Sequence, residues 1–144
     1  MRLVLDASAA VRLVMRAEAA DKLIEPVAVA TAVIAPNLYA SEVANALWKY
    51  VKAGSLEVET ALERYEEATD LIDDFIPDRE LATEALTEAV RYGHPVYDLL
   101  YAVLARRTGC TLLSMDQRLK TLLDRMGIGT IQRDFALSPR AIQR

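Results

Sequence analysis

Short apolar runs alternate with longer amphipathic stretches along this chain. The first run, Leu3-Val4-Leu5, stops at a carboxylate, Asp6. A run so short and so apolar, bounded by polar residues, reads as a buried strand. Ala7–Arg16 and Ala19–Ile24 then read as two short helices, and β-branched Thr31–Ile34, closed by Pro36, as a second strand. Asn37–Ala53 is a long helix stopped by Gly54. Leu56–Asp73 is another, with Leu62, Tyr65, Thr69 and Ile72 along one stripe. Phe75-Ile76-Pro77 is a brief strand, and its proline argues for an edge position or an early stop. Glu80–Tyr92 and Val96–Thr108 are helices ending at Gly93 and Gly109, the second with Leu99, Leu100, Val103 and Leu104 on its core face. Thr111–Met115 is a strand, Asp116–Met126 a helix stopped by Gly127, and Ile128–Ile131 a last strand. Strands separated by helices make a layered α/β fold with a mostly parallel sheet. Ligands of such sheets bind beyond the carboxyl ends of the strands, where strand order reverses.

The chain has 144 residues and contains no repeat, linker or low-complexity tract, so one domain over 1–144 is expected. Its single cysteine, Cys110, excludes an internal disulfide and points to a reducing, cytoplasmic setting. The longest apolar run, Val27–Ala35, is too short to span a bilayer, and Asp6 interrupts the N-terminus too early for a signal-peptide core. Net charge is −4, but the charge is unevenly placed. Glu57–Glu88 carries 12 acids and 2 arginines, whereas Arg106–Arg144 carries 8 bases and 3 acids. Such a chain can present an acidic and a basic face, or simply one solvated helix and a basic tail.

Four acids stand out by position. Asp6 and Asp116 follow the first and fourth strands, Asp98 opens a helix, and Glu42 sits inside a helix with Leu38 and Ala46 one turn away. Singly, each aspartate also suits a helix N-cap, and Glu42 the edge of an amphipathic helix. Jointly, acids converging without a counter-charge would raise each other's pKa, a cost that a hard divalent cation removes. All-oxygen ligation favours Mg²⁺ or Mn²⁺ over zinc. With one histidine, His94, and one cysteine there is no zinc spacing and a poor basis for a Ser-His-Asp triad. A Gly-rich phosphate loop of the G-x-x-x-x-G-K-[ST] kind is absent. Phosphotransfer enzymes of the haloacid-dehalogenase type want a second aspartate where Ser8 stands, and receiver domains want adjacent early acids.

In its motifs the chain resembles the PIN-domain ribonucleases, specifically the VapC toxins of VapBC toxin–antitoxin pairs. Asp6-Ala7-Ser8 resembles the family's D-x-S/T motif, and Ser41-Glu42-Val43-Ala44-Asn45-Ala46-Leu47 its E-x-x-N-x-L helix. Tyr97-Asp98-Leu99-Leu100-Tyr101-Ala102 resembles the third motif, an aspartate beginning a helix. Leu113-Ser114-Met115-Asp116-Gln117-Arg118-Leu119 resembles the fourth, S/T-x-D-x-x-L, with serine where threonine is common. The resemblance implies a PIN-like three-layer α/β/α fold with a central parallel sheet of order 3-2-1-4-5. It also implies metal-dependent hydrolysis of RNA phosphodiester bonds, with one or two Mg²⁺ or Mn²⁺ ions held by Asp6, Glu42, Asp98 and Asp116. Ser8, Asn45 and Ser114 fit supporting positions around them, or local capping and packing.

RNA needs cations, and Arg106, Arg107, Arg118, Lys120 and Arg125 lie near the third and fourth motifs in sequence. The resemblance further implies a homodimer and a VapB-type antitoxin crossing the active-site groove. Leu38, Leu47 and Trp48 on one helix, with Val11, Leu13 and Val14 on another, are apolar candidates for that groove, although core is the expected place for Trp48. A PIN nuclease of RNA maturation without an antitoxin, or a non-catalytic PIN binding module, are the alternative functions. Arg133–Arg144 carries none of these motifs and is either a tail that packs on the sheet or a partner arm.

Overall fold

The computed structural model describes residues 1–130. Its elements run β1 (Arg2–Leu5), α1 (Ala7–Val14), α2 (Asp21–Val29), β2 (Ala32–Pro36), α3 (Leu38–Lys52), α4 (Val58–Asp70), β3 (Asp74–Ile76), α5 (Asp78–Tyr92), α6 (Val96–Thr108), β4 (Thr111–Leu113) and α7 (Gln117–Met126). The four strands form one parallel sheet of order β3-β2-β1-β4. β3 is the edge strand, and it stops one residue before Pro77, which caps α5. The expected fifth strand is reduced among the described residues to a parallel bridge between Leu112 and Thr130, which still lies beside β4. Ile131 and Arg133–Arg144 lie outside the described residues.

Strand order dictates the layers. The chain steps from β1 to β2 to β3 in one direction, then returns across the sheet to β4. Right-handed crossovers therefore put α1 to α4 on one face and α5 and α6 on the other. β1 and β4 are neighbours, so strand order reverses between them, and Leu5 pairs with Leu113 at their carboxyl ends. α6 is buried over the whole of Leu99–Ala105, as a helix apolar on every side must be. α3 buries Tyr39, Val43 and Leu47, and the Tyr39 hydroxyl donates to the Ala68 carbonyl at 2.6 Å, tying α3 to α4.

Several sequence expectations need correction. The helix expected over Ala19–Ile24 runs on to Val29 with Pro26 inside it, because Pro26 buries with Leu23 on the core side. Trp48 is 54% exposed and not in the core. The buried stripe of α3 passes through Leu47, so Trp48 points one residue around the helix, where the Lys52 ammonium covers its ring at 5.0 Å. Trp48 lines a groove of about 400 Å³ between α3 and α4, with Val51, Val58, Leu62 and Tyr65. Leu62, expected on the buried stripe of α4, is exposed there, while Ala68 takes the buried position. Of the other apolar groove candidates, Val11, Val14 and Leu47 are buried in the core, Leu47 at the base of this groove and Val11 at the base of one between α1 and α3.

The two opposite charge blocks meet across α5 and α6. Arg106 pairs with Glu84 at 2.5 Å and with buried Glu88 at 2.9 Å, and Arg107 pairs with Glu84 at 2.6 Å.

Candidate active site

Asp6 and Ser114 leave adjacent strands at the reversal point, and the Asp6 amide still bonds the Leu113 carbonyl at 3.1 Å. One Asp6 carboxylate oxygen accepts from the Ser8 hydroxyl at 2.7 Å and the Ala9 amide at 3.0 Å; the other accepts from the Ser114 hydroxyl at 2.5 Å. The two hydroxyls are fixed in turn, because Ser8 Oγ accepts from the Met115 amide and Ser114 Oγ from the Asp116 amide, each at 2.9 Å. Asp116 accepts from the Arg118 amide at 2.9 Å and caps α7. Asp6 likewise caps α1, so the capping and the buried-acid readings are both true of it. It is 4% exposed. Burial pushes its pKa up to about 6, against three hydrogen bonds that lower it, and the Asp116 charge adds to the rise.

Glu42 reaches the same region from α3. Its Oε1 accepts from the buried Tyr101 hydroxyl at 2.7 Å. Burial drives its pKa up to about 7, and the charges of Asp6, Asp98 and Asp116 raise it further, so each of the other three acids acts electrostatically on Glu42. The Tyr101 hydroxyl joins α6 to α3. Asp98, one turn before Tyr101 on α6, has an oxygen 2.6 Å from His94 Nε2. Among the described residues no lysine or arginine side chain pairs with any of the four acids. Also among them, no three His, Cys, Asp or Glu side chains stand together as a ready-made coordination set.

The other sequence candidates are scattered. Asn45 lies along a groove of about 650 Å³ between α1 and α3 that opens from Ser8 and Glu42. Arg118 stands beside Asp116 at the start of α7. Arg106 and Arg107 lie away from the acids and are already ion-paired. They sit about 12 Å down α6 from Asp98, in its last turn, and their guanidiniums are taken by Glu84 and Glu88. Arg125, in the last turn of α7, bonds the Tyr92 carbonyl and covers the Tyr92 ring. Sequence reasoning missed Tyr101 as the partner of Glu42 and His94 as the partner of Asp98. The four-residue spacing from His94 to Asp98 was a readable signal; the Tyr101 contact spans 59 residues and left none.

This geometry defines an α/β protein with acids gathered near the switch point of a parallel sheet, none of them paired with a lysine or arginine among the described residues. A family model described as PIN domain matches residues 3–123. Ribonuclease VapC3 of Pyrobaculum aerophilum is 33% identical over 121 residues, which cover 83% of this chain and 92% of that protein. The crystal structure of PAE2754 from Pyrobaculum aerophilum superposes with a TM-score of 0.67 at 27% identity, covering 85% of this chain and 87% of its own. VapBC2 from Rickettsia felis, bound to a DNA fragment from their promoter, superposes at 0.60 and 17% identity, covering 84% and 92%, and shows the shared fold. The chain belongs to the PIN-domain family.

Proposed function

We propose that this protein is a divalent-metal-dependent endoribonuclease, the toxin of a VapBC-type toxin–antitoxin pair. The observation that carries it is a buried Asp6, its oxygens held by Ser8, Ala9 and Ser114, near three more acids and, among the described residues, paired with no lysine or arginine. The donor set is all oxygen and over-rich in negative charge, which fits Mg²⁺ or Mn²⁺. Asp6, Glu42, Asp98 and Asp116 would hold one or two such ions. When bound, the ion supplies Lewis-acid polarisation of the phosphodiester and a lowered pKa for water. Ser8 and Ser114 orient Asp6 through hydroxyls whose own oxygens are pinned by backbone amides. His94 fixes the rotamer of Asp98.

A VapB-type antitoxin and a homodimer are part of the reading. The apolar groove around Trp48 is suited to a protein segment. No helix among the described residues is long and apolar enough to cross a membrane.

The test is cleavage of a mixed cellular RNA pool by the purified, antitoxin-free chain in Mn²⁺, in Mg²⁺ and in EDTA. Cleavage confined to the metal arms is expected; none in any arm from folded protein overturns the reading. Tyr101→Phe keeps the ring and deletes the hydroxyl that holds Glu42. It is expected to lower kcat about tenfold with KM for RNA little changed, and to weaken Mn²⁺ binding read by spin resonance. Wild-type kcat and metal affinity would remove Tyr101 from the site.

A further inference from the structure

We propose that the groove between α1 and α3 is a subsite for single-stranded nucleic acid, in which Arg12 and Lys49 take backbone phosphates and Tyr50 stacks a base. This rests on the nuclease reading and adds to it where the strand lies beyond the reacting phosphate. The groove opens at Ser8 and Glu42 and continues past Arg12, Asn45, Lys49 and Tyr50. Glu42, Asn45 and Lys49 fall three and four residues apart on one face of α3. Lys49 is therefore about 10 Å beyond Glu42, and Arg12 about 9 Å beyond Asp6 on α1. Each wall presents a cation at a similar depth, too far from the acids for the reacting phosphate and placed for a neighbouring one.

Both cations keep their charge available. Among the described residues Lys49 has no ion pair, and the Arg12 guanidinium meets a neutral group, the Glu18 carbonyl at 3.3 Å. Arg106 and Arg107 are the opposite case, neutralised by glutamates far from the groove. Tyr50 is 38% exposed beside Lys49 and has no ring partner among the described residues. A positive track with an exposed aromatic is the arrangement that holds single strands, because an unpaired base has a free face to stack. Bases of a duplex are already stacked on each other and leave none for Tyr50. The polarity of the groove has a consequence: acids at one end repel the backbone, cations at the other attract it. The strand is anchored at Arg12 and Lys49 and reaches the acids once their charge is balanced.

The experiment is fluorescence anisotropy of a labelled single-stranded RNA oligonucleotide with the full chain in EDTA, across a salt series. Binding is read there without cleavage, so its outcome is separate from the metal-dependent test above. Arg12→Ala and Lys49→Ala are each expected to weaken binding about fivefold and to reduce the salt slope by about 0.7. Tyr50→Ala is expected to weaken it about tenfold with the slope unchanged, and Tyr50→Phe to restore it. Arg106→Ala is expected to bind as wild type. Wild-type affinity and slope in an Arg12→Ala/Lys49→Ala double variant overturn the subsite, even if RNA is cleaved. Equal losses on a duplex of the same sequence overturn the single-strand assignment. Loss of a polyglutamate peptide equal to the loss of RNA, with Tyr50→Ala silent, overturns it in favour of an acidic peptide segment.

Discussion

Asp6→Asn is expected to lower RNA cleavage about a thousandfold or more, which corresponds to ~4 kcal/mol at the transition state, while the fold survives. Asparagine keeps the shape of the side chain and one acceptor oxygen. That oxygen still receives the Ala9 amide and the Ser8 hydroxyl, so the cap of α1 is retained. The new amide group faces Ser114 Oγ, whose hydroxyl must turn to accept. What disappears is the negative charge at the junction of β1 and β4, the one element of the site that no neighbour replaces. Cleavage rate by gel assay and a thermal melt of the same preparation check both halves. Turnover within tenfold of wild type would remove Asp6 from the proposed chemistry. Loss of both activity and cooperative melting would mean that its role is structural.

The metal-free chain is expected to lose stability as the pH rises from about 4 to about 7, and a divalent ion is expected to restore it. The sign follows from where the protons are. Asp6 has its pKa raised from 3.8 to about 6 by burial, and Glu42 from 4.5 to about 7. Between the unfolded and folded values the native state holds protons that the unfolded state has released, so folding is favoured by acid there. Below the unfolded values both states are protonated, and above the folded ones both are ionised; stability is flat with respect to these groups in each case. For Asp6, almost wholly buried, the full difference amounts to about 3 kcal/mol. Glu42 is partly exposed and adds a smaller contribution of the same sign. Saturation with Mn²⁺ at about a hundred times its Kd would contribute ~2.7 kcal/mol, and less at pH 5, where the acids hold protons against the metal. Thermal melts in EDTA and in Mn²⁺ at pH 5 through 8 make the comparison. A melting temperature in EDTA that does not change between pH 5 and 7, or one that rises, contradicts it. Asp6→Asn should flatten most of the slope.

Much of the site was readable before any tertiary contact because its cues are local. Asp6 and Asp116 each end a short apolar strand and begin a helix, and both geometries are short-range consequences of residue type. Gly93, Gly109 and Gly127 mark helix ends because each adopts a positive φ that other residues resist. The helix over Val96–Thr108 is found with the expected bounds for the same reason. Helix α2 was harder, since a proline inside a helix is a stop by local rules and a packed residue by tertiary ones.

Partnership across the fold is a different matter. Arg106 and Arg107 looked like substrate cations from their place beside the third motif. The crossover that lays α6 along α5 delivers them to Glu84 and Glu88 instead. Tyr101 carries no local sign of its partner, and only the approach of α3 brings Glu42 to its hydroxyl. Trp48 is a groove candidate with the core as its expected place, yet the core stripe of α3 passes through its neighbour Leu47. Strand ends, caps and the order of acids follow from short-range sterics and hydrogen bonding, which the local residues carry with them. Which charge is neutralised, which hydroxyl meets which carboxylate and which aromatic faces solvent depend on residues tens of positions apart. Packing of the layers alone brings those together.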